Sequence, residues 1–324
     1  MKPFYIFFIS ILVAFTSCNQ NKKEGKAFLP NSVGNINSLQ VVTPNELWRG
    51  EVGETIREYF AAPADGLPQD EPLYSMNQLP PETFEGFVRN NRIFLYVDIG
   101  EEDRVSLLTD EFAKPQTGAM ILAPTPERLS ELISEYAPRI IESFYKSEIK
   151  ERQRRTAVST RKLDSMKHKM GVSFEISSAY RQAIDQDTFY WFRKDLKDGT
   201  TNIMVYQVPL DAIRDSTAMS DILYVRDSIG SKLLPVEDDD LFITEKAYSP
   251  FLFNTTIDGK QAYETRGTWE VTNAYMAGPF INYAVKDEKN NRWVILEGWT
   301  YAPAVRKRNI QFELESILLT TKIE

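Results

Sequence analysis

The sequence predicts an α+β fold, with antiparallel sheet, packed helices and a strand-rich second half. Three observations predict it. Short apolar runs joined by short turns crowd residues 172–301, as in antiparallel sheet. One long helical stripe of apolar residues runs from Leu129 to Ile149. Strands and helices otherwise follow one another without the regular alternation that builds a doubly wound parallel sheet.

The chain opens on a targeting segment. Lys2 supplies a positive start, Phe4 to Phe15 is apolar, and Thr16-Ser17 sets small residues before Cys18. The apolar run is well short of the roughly 20 residues a spanning helix needs. A cysteine directly after such a cut site resembles a bacterial lipobox, with Phe15 in place of the commoner aliphatic residue. In that resemblance Cys18 becomes the first mature residue and carries the lipid. Several acyl chains, at about 0.8 kcal/mol per buried methylene, then hold the protein on the membrane. A plain cleaved signal and an uncleaved anchor helix are the alternatives. Asn19 to Ser38 is polar, with Gly25, Pro30 and Gly34, and suits a flexible tether spanning roughly 25 Å as a random coil. The expected division is a signal at 1–17, the lipidated Cys18 and tether at 18–38, an N-terminal α/β half at 39–170 and an antiparallel α+β half at 171–324. The two halves are either separate or one continuous domain.

The first half begins with a candidate strand, Leu39–Val42. Thr43-Pro44-Asn45-Glu46 then has the form of a helix start: a capping threonine, proline in the first turn and glutamate three residues on. Leu47, Trp48, Val52, Ile56, Tyr59 and Phe60 mark one face up to Pro63. Leu67–Pro72 is an extended connector, because residues before proline avoid the helical region. Arg92–Asp98 and Gly118–Leu122 are β runs. Thr125-Pro126-Glu127 opens the long helix, whose stripe is Leu129, Leu132, Ile133, Tyr136, Ile140, Ile141, Phe144, Tyr145 and Ile149. Pro138 lies inside it, at a cost of about 3 kcal/mol, so a kink near 134–138 and compensating burial are expected. Lys150–Lys169 holds eight cations against Glu151 and Asp164, and Gly171 suits a helix C-cap.

In the second half Val172–Ser177, Thr188–Lys194 and Asn202–Val208 are expected strands, the last two joined across Lys197-Asp198-Gly199. Leu210–Gly230 is expected to be mainly helical. Gln261–Thr272, Phe280–Val285 and Arg292–Tyr301 follow as strands, and Ile310, Leu314, Ile317 and Leu318 mark a closing helix. Strand, proline-bearing loop and helix recur near 118–128, 202–213 and 293–310, a possible weak internal repeat.

Trp48 within NELWRGEVGETIREYFAAP, then LPQDEPLY, and later Glu297-Gly298-Trp299-Thr300-Tyr301-Ala302-Pro303 with the basic run after it, resemble a family of Bacteroidetes lipoproteins of unknown function. The resemblance covers essentially the whole mature chain. It implies a lipoprotein of unassigned function and brings no catalytic or binding residues. Surface-exported members of that phylum carry acids after the cysteine, whereas here Lys22 and Lys23 outnumber Glu24. The expected place is therefore the periplasmic face of the outer membrane.

Composition narrows the function. The chain has 38 Lys+Arg against 46 Asp+Glu, a net −8, and loss of residues 1–17 leaves 37 cations and a net −9. That balance argues against nucleic-acid binding. Cys18 is the only cysteine and His168 the only histidine, so thiol nucleophiles, histidine triads and multi-histidine zinc sites are excluded. His168 sits between Lys167 and Lys169 on a polar segment, as a solvated histidine does. Asp238-Asp239-Asp240 lacks the ligand spacing of a calcium loop and suits a solvated turn. No metal and no cofactor is expected.

Alternation over Arg292–Tyr301 puts Trp293, Ile295, Glu297, Trp299 and Tyr301 on one face. A carboxylate there needs a partner, and Arg266 on another expected strand is the first choice. Glu264, Glu270 and Glu297 are alternatively a source of two carboxylates for glycoside hydrolysis, which needs them about 5–9.5 Å apart. The aromatics of residues 260–301, Trp299 among them, suit sheet packing before a stacking platform. Arg306-Lys307-Arg308 stands where the last helix begins, and cations oppose the dipole there. Either the helix starts later, or Arg306, Lys307 and Arg308 pair with acids or with an anionic partner. The expected protein is a non-catalytic binding or assembly factor of the cell envelope. It would be held to the membrane by its lipid, and its partner would be an anionic envelope component or another envelope protein. A carboxylate hydrolase of cell-wall glycan or peptide is the alternative, and a carrier of a lipid or hydrophobic ligand the second.

Overall fold

The computed structural model describes residues 29–237 and 239–324. Cys18 and the rest of the expected targeting segment lie outside them. In chain order the elements are β1 (Ser38–Val42), α1 (Asn45–Arg49), α2 (Glu51–Phe60), β2 (Ser75–Leu79), β3 (Ile93–Ile99), β4 (Arg104–Thr109), β5 (Thr117–Ala123) and α3 (Pro126–Thr156). Next come β6 (Thr160–Arg161), α4 (Asp164–Met170), β7 (Val172–Ser173), β8 (Ile176–Ser177), β9 (Arg181–Asp185), β10 (Phe189–Leu196), β11 (Gly199–Pro209) and α5 (Ala218–Leu233). The last are β12 (Phe242–Thr244), β13 (Phe251–Ile257), β14 (Lys260–Val271), β15 (Met276–Asp287), β16 (Arg292–Tyr301), α6 (Arg308–Leu318) and β17 (Lys322–Ile323).

The class is α+β, with one large sheet for each half and two small two-stranded sheets beside them. The second-half sheet has the order β12-β14-β15-β16-β11-β10-β9, with β13 also pairing β14, and every pairing is antiparallel. The first-half sheet has the order β2-β1-β3-β5-β4. Here β1 pairs β2 and β3 in parallel, and β3 pairs β5 in parallel; only β4 runs antiparallel. The edge strand β2, SMNQL, is polar and only part-buried, so it lacks the apolar run that marks β1, β3 and β5.

Local chemistry explains several boundaries. Thr125 caps α3 by accepting from the Arg128 N–H at 3.3 Å, and Gly171 ends α4 at φ 66°. Helix α3 runs through Pro138 unbroken, as six residues of its stripe, Leu129, Leu132, Ile133, Ile140, Phe144 and Ile149, are buried, and Ala137 with them. At about 1.5–3 kcal/mol for each large apolar side chain, that burial outweighs the proline. The expected threonine cap of the first helix does not form. Thr43 Oγ1 is buried without a partner, Pro44 occupies the cap position, and the helix breaks at Gly50 into α1 and α2. The stretch after β11 turns helical only at Ala218, because Pro209 and short turns at 210–212 and 215–217 come first. Val172–Ser177 is two short strands with different partners, β7 with β17 and β8 with β6.

Three cores result. Helices α2 and α3 cover one face of the first sheet over Leu39, Val41, Ile93, Leu95 and Ile121. Leu314, Ile317 and Leu318 of α6 close one face of the second sheet, over Ile203, Val205, Ile281 and Leu296. Ile222 and Val225 of α5 close its other face, over Trp269, Trp293, Ile295 and Trp299.

Candidate functional site

A half-open cavity of about 400 Å³ lies at the seam between the halves. Pro138, Ile141 and Tyr145 of α3 form one wall, Ala64–Leu67 a second, and Gln311, Phe312 and Glu315 of α6 a third. Phe253 of β13, Glu264 and Arg266 of β14, Phe280 and Ile281 of β15, and Arg308 at the start of α6 also line it. Such volume and such mostly apolar walls with a few polar groups are what small-ligand sites share.

The floor is an ion network that joins three elements. Arg266 Nε lies 2.5 Å from Glu264 Oε1, and its Nη2 lies 2.6 Å from Glu315 Oε1. Strand alternation puts Glu264 and Arg266 on one face of β14, and the α6 stripe brings Glu315 down onto it. Tyr145 Oη donates to the same Glu315 oxygen at 2.5 Å. Burial disfavours the Arg266 cation, but Glu315 and Glu264 outweigh it and hold the guanidinium well above its ordinary range. Burial, then Glu315, pushes the Tyr145 hydroxyl up, so it stays a donor. The packing of α3 and α6 is tied again by Glu313, which pairs with Arg152 and Lys194.

The residues singled out from sequence fall in several places. Glu297 is 0% exposed. It shares the α5 face with Trp293, Ile295 and Trp299, as alternation required, but its cation is Arg226 and not Arg266. Arg226 Nε lies 3.0 Å from Glu297 Oε1 as a charge contact rather than an aligned hydrogen bond. Asn282, directly opposite on β15, donates to Glu297 Oε2 at 3.0 Å. The Arg226 guanidinium also stacks 4.0 Å from the Phe280 ring centroid and 5.0 Å from that of Phe242. Arg266 was the wrong partner because it faces α6, on the opposite side of the sheet. The same geometry separates Glu264 from Glu297, so those two carboxylates flank no common substrate. Trp299 is 4% exposed and stacks on Trp191 at 6.2 Å; it is sheet packing, not a platform.

The basic run is split. Helix α6 starts at Arg308, the last residue of the cluster, with Lys307 at the cap position. Lys307 is 4% exposed, with its backbone N–H 2.6 Å from Glu71 Oε1. Arg308 donates to Pro72 O at 2.6 Å and Ser75 Oγ at 3.1 Å, and its N–H reaches Glu71 Oε2 at 3.1 Å. Burial lowers the Arg308 guanidinium from its ordinary range, with Glu71 opposing. Only Arg306 of the three is exposed. Within Lys150–Lys169, Arg154 and Arg155 pair with Glu151, Arg152 with Glu313, Lys167 with Glu324, and Lys169 with Asp185 and Asp187. His168 is exposed on α4. Asp238 lies outside the described residues. Among the described residues no cluster is placed to hold a metal ion, and no helix is long and apolar enough to cross a membrane.

Comparison with known proteins assigns a family. Residues 159–320, half of the chain, match the family model described as a domain of unknown function, DUF4837. The chain belongs to that family. The DUF4837 region supplies the cavity's β13, β14, β15 and α6 walls. Residues 32–157, which supply α3 and the 64–67 wall, match a second domain of unknown function, DUF8532. No curated protein matches. Among solved structures, the Saccharomyces cerevisiae Ran-binding protein Mog1p is similar at 7% identity, over 47% of this chain and 89% of its own, with a TM-score of 0.31. A mutant of protein Mog1 is similar at 8% identity, over 47% and 90%, with the same TM-score. Likeness of that degree carries no argument about fold or function.

Proposed function

We propose that this chain is a non-catalytic binding protein of the cell envelope, held to the membrane through Cys18, that takes a small amphipathic ligand in the seam cavity. The single observation behind this is the cavity itself: a largely apolar space of about 400 Å³ with an ion network at its floor. Both carboxylates of that floor already serve one arginine, which suits holding a ligand better than moving its protons. The targeting segment and the run before Cys18 support the tether.

The test is titration of the purified protein with a panel of small amphipathic amides and acids, N-acetyl-tryptophanamide among them, followed by NMR. Saturable binding to wild type, lost when Ile141→Trp fills the cavity, is the expected result. No binding, or binding indifferent to Ile141→Trp, overturns the reading. Cleavage of purified peptidoglycan, lost in Glu264→Gln or Glu315→Gln, would replace it with a hydrolase.

A further inference from the structure

We infer that the outer edge of β13 receives an extended peptide segment of another protein as an added strand, with its side chains over the mouth of the seam cavity. This deepens the binding reading above and rests on it for the cavity's role.

The turn between β13 and β14 fixes which backbone groups are free. Asp258 and Gly259 have φ of 51° and 72°, the two-residue hairpin turn whose closing pair exchanges both hydrogen bonds. That pair is Ile257 and Lys260. Antiparallel ladders alternate, so Thr255, Phe253 and Phe251 also bond β14, while Leu252, Asn254 and Thr256 aim N–H and C=O outward. Among the described residues no strand and no loop backbone bonds these outward groups.

The edge is also undefended. Natural sheets blunt exposed edges with charges, proline or bulges. The other edge of this sheet, β9, carries Arg181 and Asp185; β13 reads FLFNTTI and has no charge, proline or glycine. Seven residues of unprotected, uncharged edge are complementary to another extended backbone, which no compact ligand reproduces.

Side chains indicate the peptide's character. Phe251 and Phe253 lie opposite Arg266 and Glu264, on the cavity face. They are 43% and 40% exposed, and their rings stack at 6.4 Å and 1°. Phe253 itself lines the cavity. Side chains of an added strand at every second position would continue that aromatic ledge and lean into the opening. The peptide is therefore uncharged, with apolar residues at alternate positions.

Asn254→Pro tests this, because it removes one outward N–H and leaves the β13–β14 ladder whole. The probe is a fluorescein-labelled peptide of alternating threonine and valine with one central phenylalanine, added to the full chain in nanodiscs and followed by anisotropy. Wild type should bind it, and Asn254→Pro should weaken binding about tenfold or more, since a lost strand bond strands its acceptor. Asn254→Ala should bind as wild type does. The same peptide N-methylated on alternate amides should fail with wild type, which keeps the test standing if the proline variant does not fold. N-acetyl-tryptophanamide binding should survive Asn254→Pro, so loss of the edge and loss of the cavity are distinguishable. No peptide binding, binding equal in wild type and Asn254→Pro, or self-association of wild type abolished by that substitution would each overturn the inference, the last in favour of a second copy of this chain.

Discussion

The Glu71 carboxylate accepts the backbone N–H groups of both Lys307, at 2.6 Å, and Arg308, at 3.1 Å, and so caps α6 from the other half of the chain. Negative charge is what a helix N-terminus favours. An acid for the basic run is thus present, 236 residues from Lys307, and it bonds the backbone of Lys307 and Arg308 rather than their side chains.

Glu71→Ala is expected to destabilise the protein by about 1–2 kcal/mol, the usual cost of a lost cap. Glu71→Gln should fall between that variant and wild type. Denaturant unfolding measures both. A change no larger than the roughly 0.5 kcal/mol of an ordinary surface substitution contradicts the cap.

Arg306→Ser and Arg308→Ser should part company. Arg306 is exposed, and its loss should leave unfolding within about 0.5 kcal/mol of wild type. Arg308→Ser removes guanidinium bonds to Pro72 O and Ser75 Oγ and should lower the Tm clearly. Equal thermal stability of the two variants would show that Arg308 does not tie the halves together.

The buried pair of Arg226 and Glu297 is expected to respond asymmetrically. Arg226→Met strands a carboxylate and should cost about 3–5 kcal/mol. Glu297→Gln should cost less, because Arg226 keeps Thr244 at 3.0 Å, Asp227 at 3.1 Å and its ring contacts. Burial raises the Glu297 carboxyl above its ordinary range, with Arg226 the chief opposing influence. A carboxyl raised in the folded state contributes stability below its unfolded value and loses it as pH rises through the folded one. The stability of wild type relative to Glu297→Gln should therefore decline over the pH interval that begins at the ordinary carboxyl value of about 4.5 and runs upward. A relative stability that grows over that interval would sink the assignment.

Cys18→Ala should release the protein from membranes or block its maturation, as read by fractionation and by the mass of the mature N-terminus. Retention of the variant in the membrane with residues 1–17 intact would remove the lipid anchor.

Legibility from sequence followed the range of the interactions. Strands β14, β15 and β16 and helices α3 and α6 showed plainly, because alternation and helical stripes are local patterns that survive in one segment. The face of Glu297 showed for the same reason. Its partner did not, since Arg226 comes from a helix 71 positions away whose own stripe gives no hint of an ion pair. The seam cavity was equally hidden. Glu264 and Arg266, two residues apart on a strand, share a face, but nothing local places Glu315 and Tyr145 beside them.

Glu315 has a consequence for cooperativity. Its one oxygen is held by Tyr145 from the first half and Arg266 from the second, so it belongs to both at once. A ligand seated on that floor acts as a reversible cross-link between segments far apart in the chain. By mass action it stabilises only the state in which both halves are folded and docked. Ligand should therefore raise the unfolding temperature of the α3 helix and of the β14–β16 sheet together, and make the chain melt as one unit.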